Sequence, residues 1–240
     1  MSKLSNAPLL EVIFEINWDI TSKDEIVNFQ YLHGDLYSIL KNDYPKRENL
    51  VPAEIPLDIM KNRAMFRFSN ETNYPLVQIG PGILTLNTTD EFYFWDSYRE
   101  EINKVTKSLS DVFPQINETN LFLTLTYLDF FEMDIETENV IDFVNKNLNL
   151  NINQTYIDYK NTKEINLTFS YKINKNTLIL NLRNGAVSNN KKGLILQTKL
   201  ISNKKKYESE EQLKWLNEAH ETCSDVFKSI VSKDFYNTFK

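Results

Sequence analysis

The order of strand-like and helix-like segments constrains the fold of this chain more than any other feature of its sequence. Apolar and polar side chains alternate over residues 9–18, which predicts a half-buried strand, and the spacing of apolar residues predicts an amphipathic helix over residues 24–43. Three strands and a second helix that ends at Pro114 complete this first set. The same order then repeats from residue 119, and an α+β protein is therefore predicted.

The individual strands and helices are predicted from the same periodicities and from turn residues. The first set has strands at residues 64–68, 76–79 and 83–86, with a further short strand at 92–95; the second set has strands at 119–131, 164–173, 177–182 and 193–201 and helices at 138–148 and 210–232. Residues 45–62 contain three prolines and are predicted to form a connection without regular structure.

Short matches between the two sets indicate an internal duplication. At nearly one common offset, residues 26–29 align with 140–143, residues 110–113 with 224–227, and residues 82–85 with 193–196. This predicts two βαβββα halves, residues 1–118 and 119–240, packed as one unit. Two similar amphipathic patterns without any duplication remain the alternative.

Each predicted half covers one face of an antiparallel sheet with its two amphipathic helices. The other face is then free to pack on the second half or on a ligand. Two halves of this kind can form one continuous curved sheet, as in the saddle of TATA-binding-protein-like folds, or two packed sheets. The sequence leaves this choice open.

Composition and charge limit the classes of function. The chain has 240 residues, of which 41% are hydrophobic and 25% charged, so it is expected to fold in water. Its net charge of −6 repels polyanions, and a nucleic-acid role would need a local basic patch. Glu11, Glu15 and Asp19 interrupt the apolar N-terminal stretch, and no run reaches the roughly 18 apolar residues of a membrane span. A cytoplasmic protein without membrane contact is expected.

Nucleophilic catalysis has few candidate residues. The chain contains one cysteine, Cys223, and two histidines, of which His220 lies three residues before Cys223 on the last predicted helix. Both lie on the apolar stripe of that helix, which favours a buried structural role over a reactive thiol. Gly80 and Gly82 resemble a phosphate-binding loop only superficially, because no Lys-Ser/Thr pair opens a helix after them. We assign no catalytic residue.

Carboxylates are the other candidates for a binding site. Three groups could bind a divalent cation if the fold brought them together: Glu11 with Glu15, Asp129 with Glu132 and Asp134, and Glu208 with Glu210 and Glu211. A solvated strand face and an acidic helix N-terminus also explain these groups. No metal and no cofactor are therefore predicted.

A cluster of lysines is the strongest candidate for contact with nucleic acid. The cluster lies in the hairpin of residues 191–206 and comprises Lys191, Lys192, Lys199, Lys204, Lys205 and Lys206. These cations could bind phosphates, with Tyr207 or Tyr171 stacking on bases. Alternatively, the lysines keep an edge hairpin soluble, or they form a patch that docks a protein.

Aromatic residues are concentrated at the end of the stretch of residues 74–95. The segment carries Phe92, Tyr93, Phe94, Trp95 and, three residues further on, Tyr98. If the segment is a strand, these side chains cannot all face one core, because neighbouring residues point to opposite sides. Exposed aromatic side chains are common anchors of interfaces, so these five residues are the candidates for a protein interface.

Three segments resemble a sporadically distributed family of uncharacterised bacterial proteins of about this length. The segments are NAPLLEVIFEINW at residues 6–18, YPLVQIGPGILTLN at 74–87 followed by Tyr93 to Trp95, and LNEAHETCSDVFKSIVSKDF at 216–235. The resemblance covers nearly the whole chain except residues 145–163. It implies a cytoplasmic prokaryotic protein of the kind carried by mobile elements or defence loci, and it brings no catalytic residues.

These observations lead to a non-enzymatic interaction or regulatory subunit that acts with a partner protein encoded nearby. The resemblance implies a setting in anti-phage (antiviral) defence or a toxin–antitoxin system. The alternative is a nucleic-acid-binding protein that uses a curved sheet and the lysine hairpin, and the third hypothesis is an enzyme of unknown class. The sequence does not predict an oligomeric state.

Overall fold

The computed structural model describes residues 4–52, 54–134, 137–158, 160, 162–187, 191–206 and 208–240, without the side chains of Lys23, Leu57 and Asp58. Tyr207, one of the two tyrosines predicted to stack on bases, lies outside the described residues. Within the described part, no helix is both long enough and apolar enough to cross a bilayer.

Nine strands and five helices follow one another in the described part of the chain. The strands are β1 (Leu9–Trp18), β2 (Lys46–Asn49), β3 (Phe66–Ser69), β4 (Leu76–Gly80), β5 (Ile83–Thr89), β6 (Leu121–Glu132), β7 (Asn166–Ile173), β8 (Asn176–Ala186) and β9 (Lys192–Ile201). The helices are α1 (Lys23–Leu40), α2 (Trp95–Val112), α3 (Val140–Asn147), α4 (Ser209–Ile230) and α5 (Lys233–Asn237).

The strands form a single sheet in the order β2-β3-β4-β5-β1-β6-β9-β8-β7. Pairing is antiparallel within β2-β3-β4-β5 and within the β7–β8 hairpin. The predicted α+β class is therefore confirmed. The duplication and the saddle remain predictions.

Contacts between residues divide the chain into two compact units. One contains Val12–Leu125 and Ile201–Asn217, and the other contains Met1–Glu11, Thr126–Leu200 and Glu218–Lys240. These boundaries fall inside β1, β6, β9 and α4. Each unit therefore combines segments that are distant in the chain, whereas each predicted half is one continuous segment and the two meet at residue 118.

The unit with residues 12–125 is built on α1 and α2, which pack against each other and against β4 and β5. Helix α1 begins where predicted because Ser22 accepts a hydrogen bond from the Glu25 N–H at 3.2 Å, and the Glu25 carboxylate accepts one from the Thr21 N–H at 2.8 Å. The predicted inner side of β1 is confirmed. Its buried side chains are Val12, Phe14, Ile16 and Trp18.

The unit with residues 126–200 has a core rich in phenylalanine. Its buried residues from β6, α3, β8, β9 and the C-terminal segment include Phe131, Val140, Phe143, Leu182, Leu194 and Phe239. Phe235 meets Phe131 and Phe143 edge-on, with ring centroids 5.3 and 5.8 Å apart. Helix α5, which periodicity did not predict, brings Phe235 into this aromatic group.

The predicted strand at residues 92–95 is wrong. Asp90–Phe92 form a 3-10 turn that is closed by the Tyr93 N–H bonding to the Asp90 carbonyl at 3.1 Å, and α2 begins at Trp95. The aromatic run favours a strand locally. The buried stripe of Tyr98, Ile102, Val105 and Leu109 on α2 prevails over it, because tertiary packing overrides weak β-propensity.

Residues 45–62 contain a strand where none was predicted. β2 is the outermost strand on its side of the sheet and pairs Lys46 with Ser69 and Asn49 with Phe66. Pro45 and Pro52 flank this strand and do not interrupt it, so their missing N–H groups remove no ladder bond.

Candidate functional site

The predicted aromatic cluster lies at the beginning of α2. Phe94 is the N-cap residue of this helix and is 58% exposed. Phe92, Tyr93 and Trp95 are partly exposed. The backbone of the cluster is fixed by the 3-10 turn before it and by the bond from the Tyr98 N–H to the Phe94 carbonyl at 2.9 Å. The structure therefore presents an aromatic surface on the hydrogen-bonded first turn of α2.

Tyr98 does not belong to this surface, which corrects its place among the interface candidates. Its side chain is only 4% exposed. The hydroxyl accepts a hydrogen bond from the Phe14 N–H at 2.9 Å and donates one to the Leu86 carbonyl at 2.7 Å. Tyr93 contacts Tyr98 edge-on at a centroid distance of 5.7 Å. Tyr98 thus supports the aromatic surface from beneath.

Polar groups lie one helical turn after the aromatic surface. Arg99 donates a hydrogen bond to the Asn217 side chain on α4 at 3.3 Å and lies 3.8 Å from the Asp96 carboxylate. An apolar centre with a hydrogen-bonding margin is the usual composition of a protein interface.

The six candidate lysines do not form one hairpin: Lys191 and Lys192 lie just before and at the start of β9, Lys199 lies within it, and Lys204, Lys205 and Lys206 follow its end. Four of the six are ion-paired. Lys191 contacts Glu132 at 2.7 Å, Lys205 contacts Glu211 at 2.9 Å, Lys206 contacts Glu118 at 2.6 Å, and Lys204 pairs with Asp19. Lys192 is exposed and Lys199 partly exposed. The four paired ammonium groups have an acidic neighbour each, which reduces the local positive field that phosphate binding would require.

The Cys223 thiol is buried, as its place on the apolar stripe predicted. It is 2% exposed, and burial, together with the nearby Asp129 carboxylate, raises its pKa to about 12. His220 is partly exposed, and its Nδ1 lies 2.8 Å from the Tyr127 hydroxyl. A thiol with this pKa is protonated at neutral pH and is a poor nucleophile.

His33 has a packing role in the structure. Its ring is parallel to that of Phe66 with centroids 3.9 Å apart, and its Nδ1 lies 3.3 Å from the Phe29 carbonyl oxygen. Burial lowers the pKa of His33 below its ordinary value of 6.5; the Phe29 carbonyl opposes this, and the Arg47 guanidinium adds to it. The neutral imidazole is therefore the favoured form.

The carboxylate groups are not assembled into a metal site. Among the described residues, no three His, Cys, Asp or Glu side chains come together as metal ligands would. Glu132 and Glu211 pair with lysines, and Asp129 is buried.

A polar row crosses four strands and was not predicted from the sequence. Glu48, Arg67, Gln78 and Thr85 are consecutive partners in the β2-β3-β4-β5 ladder and share one face. Arg67 Nη1 lies 3.1 Å from Glu48, and the Gln78 amide oxygen, oriented toward Arg67, accepts from its Nη2 at 3.1 Å. Alternation predicts the face of each residue, but only the strand register places the four in a row.

Two grooves in the same unit are small. One, between α1 and the end of α2, has a volume of about 240 Å³ and is lined by Trp18, Phe29 and Phe113 together with Glu25 and Asp35. The other, between α1 and the segment after β2, measures about 200 Å³. Both are smaller than the roughly 300–1,000 Å³ of sites that enclose a drug-sized ligand.

Comparisons with known proteins give this chain no relative, since no family model, no curated protein and no solved structure matches it.

Proposed function

We propose that this protein is a non-enzymatic interaction or regulatory subunit, and that it binds a partner protein through the aromatic surface of Phe92, Tyr93, Phe94 and Trp95. The observation that carries the proposal is the 58% exposure of Phe94 at the N-cap of α2. A phenylalanine with partly exposed aromatic neighbours is a typical anchor for a partner.

The support beneath this surface favours binding without rearrangement. The Tyr98 hydroxyl fixes α2 to the backbone of β1 and β5 by hydrogen bonding, and Ile102 and Leu109 are buried along the same stripe. A surface that is already ordered loses little conformational entropy when it binds, so more of the contact energy contributes to affinity.

We further propose the finer architecture and the biological setting. In the sheet, β5, β4 and β3 follow outward from β1 as β9, β8 and β7 follow outward from β6, which supports two duplicated βαβββα halves. The cytoplasmic location rests on the interrupted apolar stretch at the N-terminus and on the resemblance, and the setting in anti-phage defence or a toxin–antitoxin system rests on the resemblance alone.

The nucleic-acid alternative and the enzyme hypothesis receive less support. Four of the six candidate lysines are paired with carboxylates. The His220–Cys223 pair has a buried, protonated thiol.

Co-expression with the products of neighbouring genes tests the proposal. Size-exclusion chromatography with light scattering should show a complex with one of them, and Phe94→Ala should weaken that complex by about 2 kcal/mol, the loss typical of an interface anchor. Tyr31→Ala is the matched control, because Tyr31 is 68% exposed on α1. Failure to form a complex with any neighbour, or an equal effect of both variants, would contradict the proposal.

A further inference from the structure

In the part of the chain that the structure describes, no strand pairs with the outer edge of β7. Strand β7 is the terminal strand, and it is eight residues long with a single charged residue, Lys172. Tyr171 is 47% exposed and stacks on Phe169 at a centroid distance of 6.4 Å. Long, weakly charged edges of this kind are rare in proteins that avoid pairing with other chains.

The opposite edge shows that this chain can protect an edge strand. β2 has four residues, three of which are charged, and all four are exposed. Lys46 and Glu48 are held in ion pairs with Glu71 and Arg67. Short, charged edge strands resist pairing, so the two edges differ in the property that decides strand addition.

The backbone groups of β7 that point outward can be identified from its hairpin. Ile173 and Asn176 flank a two-residue loop, and such a pair exchanges hydrogen bonds. Bonding to β8 then alternates, so Tyr171, Phe169 and Leu167 bond to β8. The N–H and C=O groups of the intervening residues point away from the sheet: Asn166, Thr168, Ser170 and Lys172.

We propose that the open edge of β7 binds β7 of a second copy of this chain, antiparallel, with Ser170 opposite Ser170 on the two-fold axis. This register places outward-pointing groups opposite each other, as a ladder requires. It goes beyond the proposed function and does not depend on the aromatic surface.

The side chains of β7 complement themselves in this register. Phe169 of one copy lies opposite Tyr171 of the other, and this aromatic pair occurs twice. Lys172 lies opposite Thr168, so no like charges face each other across the new ladder. Leu167, Phe169 and Tyr171 share one face of β7, beside the buried Leu182, Leu180 and Leu178 of β8. In the dimer this stripe meets the same stripe of the second copy.

Solution mass and a proline variant provide the first test. The solution mass of the full chain, measured by light scattering, should rise from 28.3 kDa to twice that value as the protein concentration is raised to the high micromolar range. Ser170→Pro should abolish the dimer while the circular dichroism spectrum is retained, because the lost N–H points away from β8. Phe94→Ala should leave the dimer intact, which separates this result from the partner-binding test.

Charge and cross-linking variants test the register itself. In the dimer, residue 168 of each copy lies opposite Lys172 of the other copy. Thr168→Glu therefore creates two pairs of opposite charge and should strengthen the dimer roughly fivefold, and Thr168→Lys creates two pairs of like charge and should weaken it by a similar factor. Ser170→Cys should form a disulfide-linked dimer on oxidation, since directly opposite Cα atoms about 5.5 Å apart lie within disulfide range. Ser38→Cys, on the exposed side of α1, is the control and should not cross-link.

Three outcomes would overturn the proposal. The first is a mass of one chain at all concentrations with no cross-linking of the Ser170→Cys variant. The second is a dimer that Ser170→Pro leaves unchanged, which would mean that another surface forms it. The third is an equal effect of Thr168→Glu and Thr168→Lys.

Discussion

The hydroxyl oxygen of Tyr98 lies 2.9 Å from the backbone nitrogen of Phe14, so that a side chain of α2 completes the hydrogen bonding of a buried strand. The same hydroxyl donates to the Leu86 carbonyl at 2.7 Å. Phe14 and Leu86 belong to the neighbouring strands β1 and β5. One phenol group therefore connects a helix with two strands of the core.

Tyr98→Phe should destabilise the protein by at least about 2 kcal/mol, because each of two buried backbone groups loses a partner at a cost of about 1–3 kcal/mol. Urea unfolding measures the change. Tyr31→Phe, on an exposed side chain, should stay within about 0.5 kcal/mol of the unmodified protein. Equal stability of the two variants would show that Tyr98 contributes by packing alone.

The Cys223 thiol should not react with Ellman's reagent in the folded protein at pH 8. Burial raises its pKa to about 12, so the thiolate fraction at this pH is negligible. One equivalent should react once guanidinium chloride unfolds the chain. Rapid labelling under native conditions would contradict this and would support Cys223 as a candidate nucleophile.

His33 should make stability depend on pH below about 6.5. Its pKa is lowered in the folded protein, so the unfolded chain binds the proton first as the pH falls through 6.5. The contribution of neutral His33 is fully present above that pH and decreases below it until the folded form is also protonated. Urea midpoints of the unmodified protein and of His33→Gln should therefore converge toward acidic pH. A constant difference would show that the two states share one pKa.

The paired lysines should contribute little to stability and should not create a nucleic-acid site. Exposed ion pairs are worth about 0–1 kcal/mol, so Lys206→Gln should change the free energy of unfolding by less than about 1 kcal/mol. Fluorescence anisotropy with a labelled DNA duplex should show no binding that weakens with salt. Salt-sensitive binding that is lost when Lys204, Lys205 and Lys206 are replaced by Glu would support the nucleic-acid alternative.

The sequence predicts the elements of this fold well where one side of the element is buried. The alternation of β1 and the helical stripes of α2 and α4 reflect burial directly, and these elements lie close to their predicted positions. The turn between β4 and β5 lies at residues 81–82, between the predicted strands at residues 76–79 and 83–86. The structure shows why a glycine is suited to it, because Gly82 has a φ of +84° and a Cβ there would lie 2.6 Å from Asn62 Oδ1.

The sequence predicts less where long-range contacts decide the structure. The pattern of residues 92–95 is compatible with a strand, and only the burial of Tyr98 and Ile102 shows why the chain turns into a helix there. Likewise, the sequence shows the positive charges of Lys204 and Lys206 but does not predict their ion-pair partners, which lie far away in the chain. Lys204 pairs with Asp19 and Lys206 with Glu118. Such pairings depend on the register of the sheet.

The exposed charges of β2 determine how far assembly through strands can proceed. A chain with two open edges polymerises into fibres, because every addition leaves a new edge at each end. Here Lys46, Arg47 and Glu48 occupy one edge of the sheet. A contact through β7 therefore leaves the charged strand β2 as the edge at both ends of the dimer. The contact is isologous and closes on itself, and growth stops at two chains.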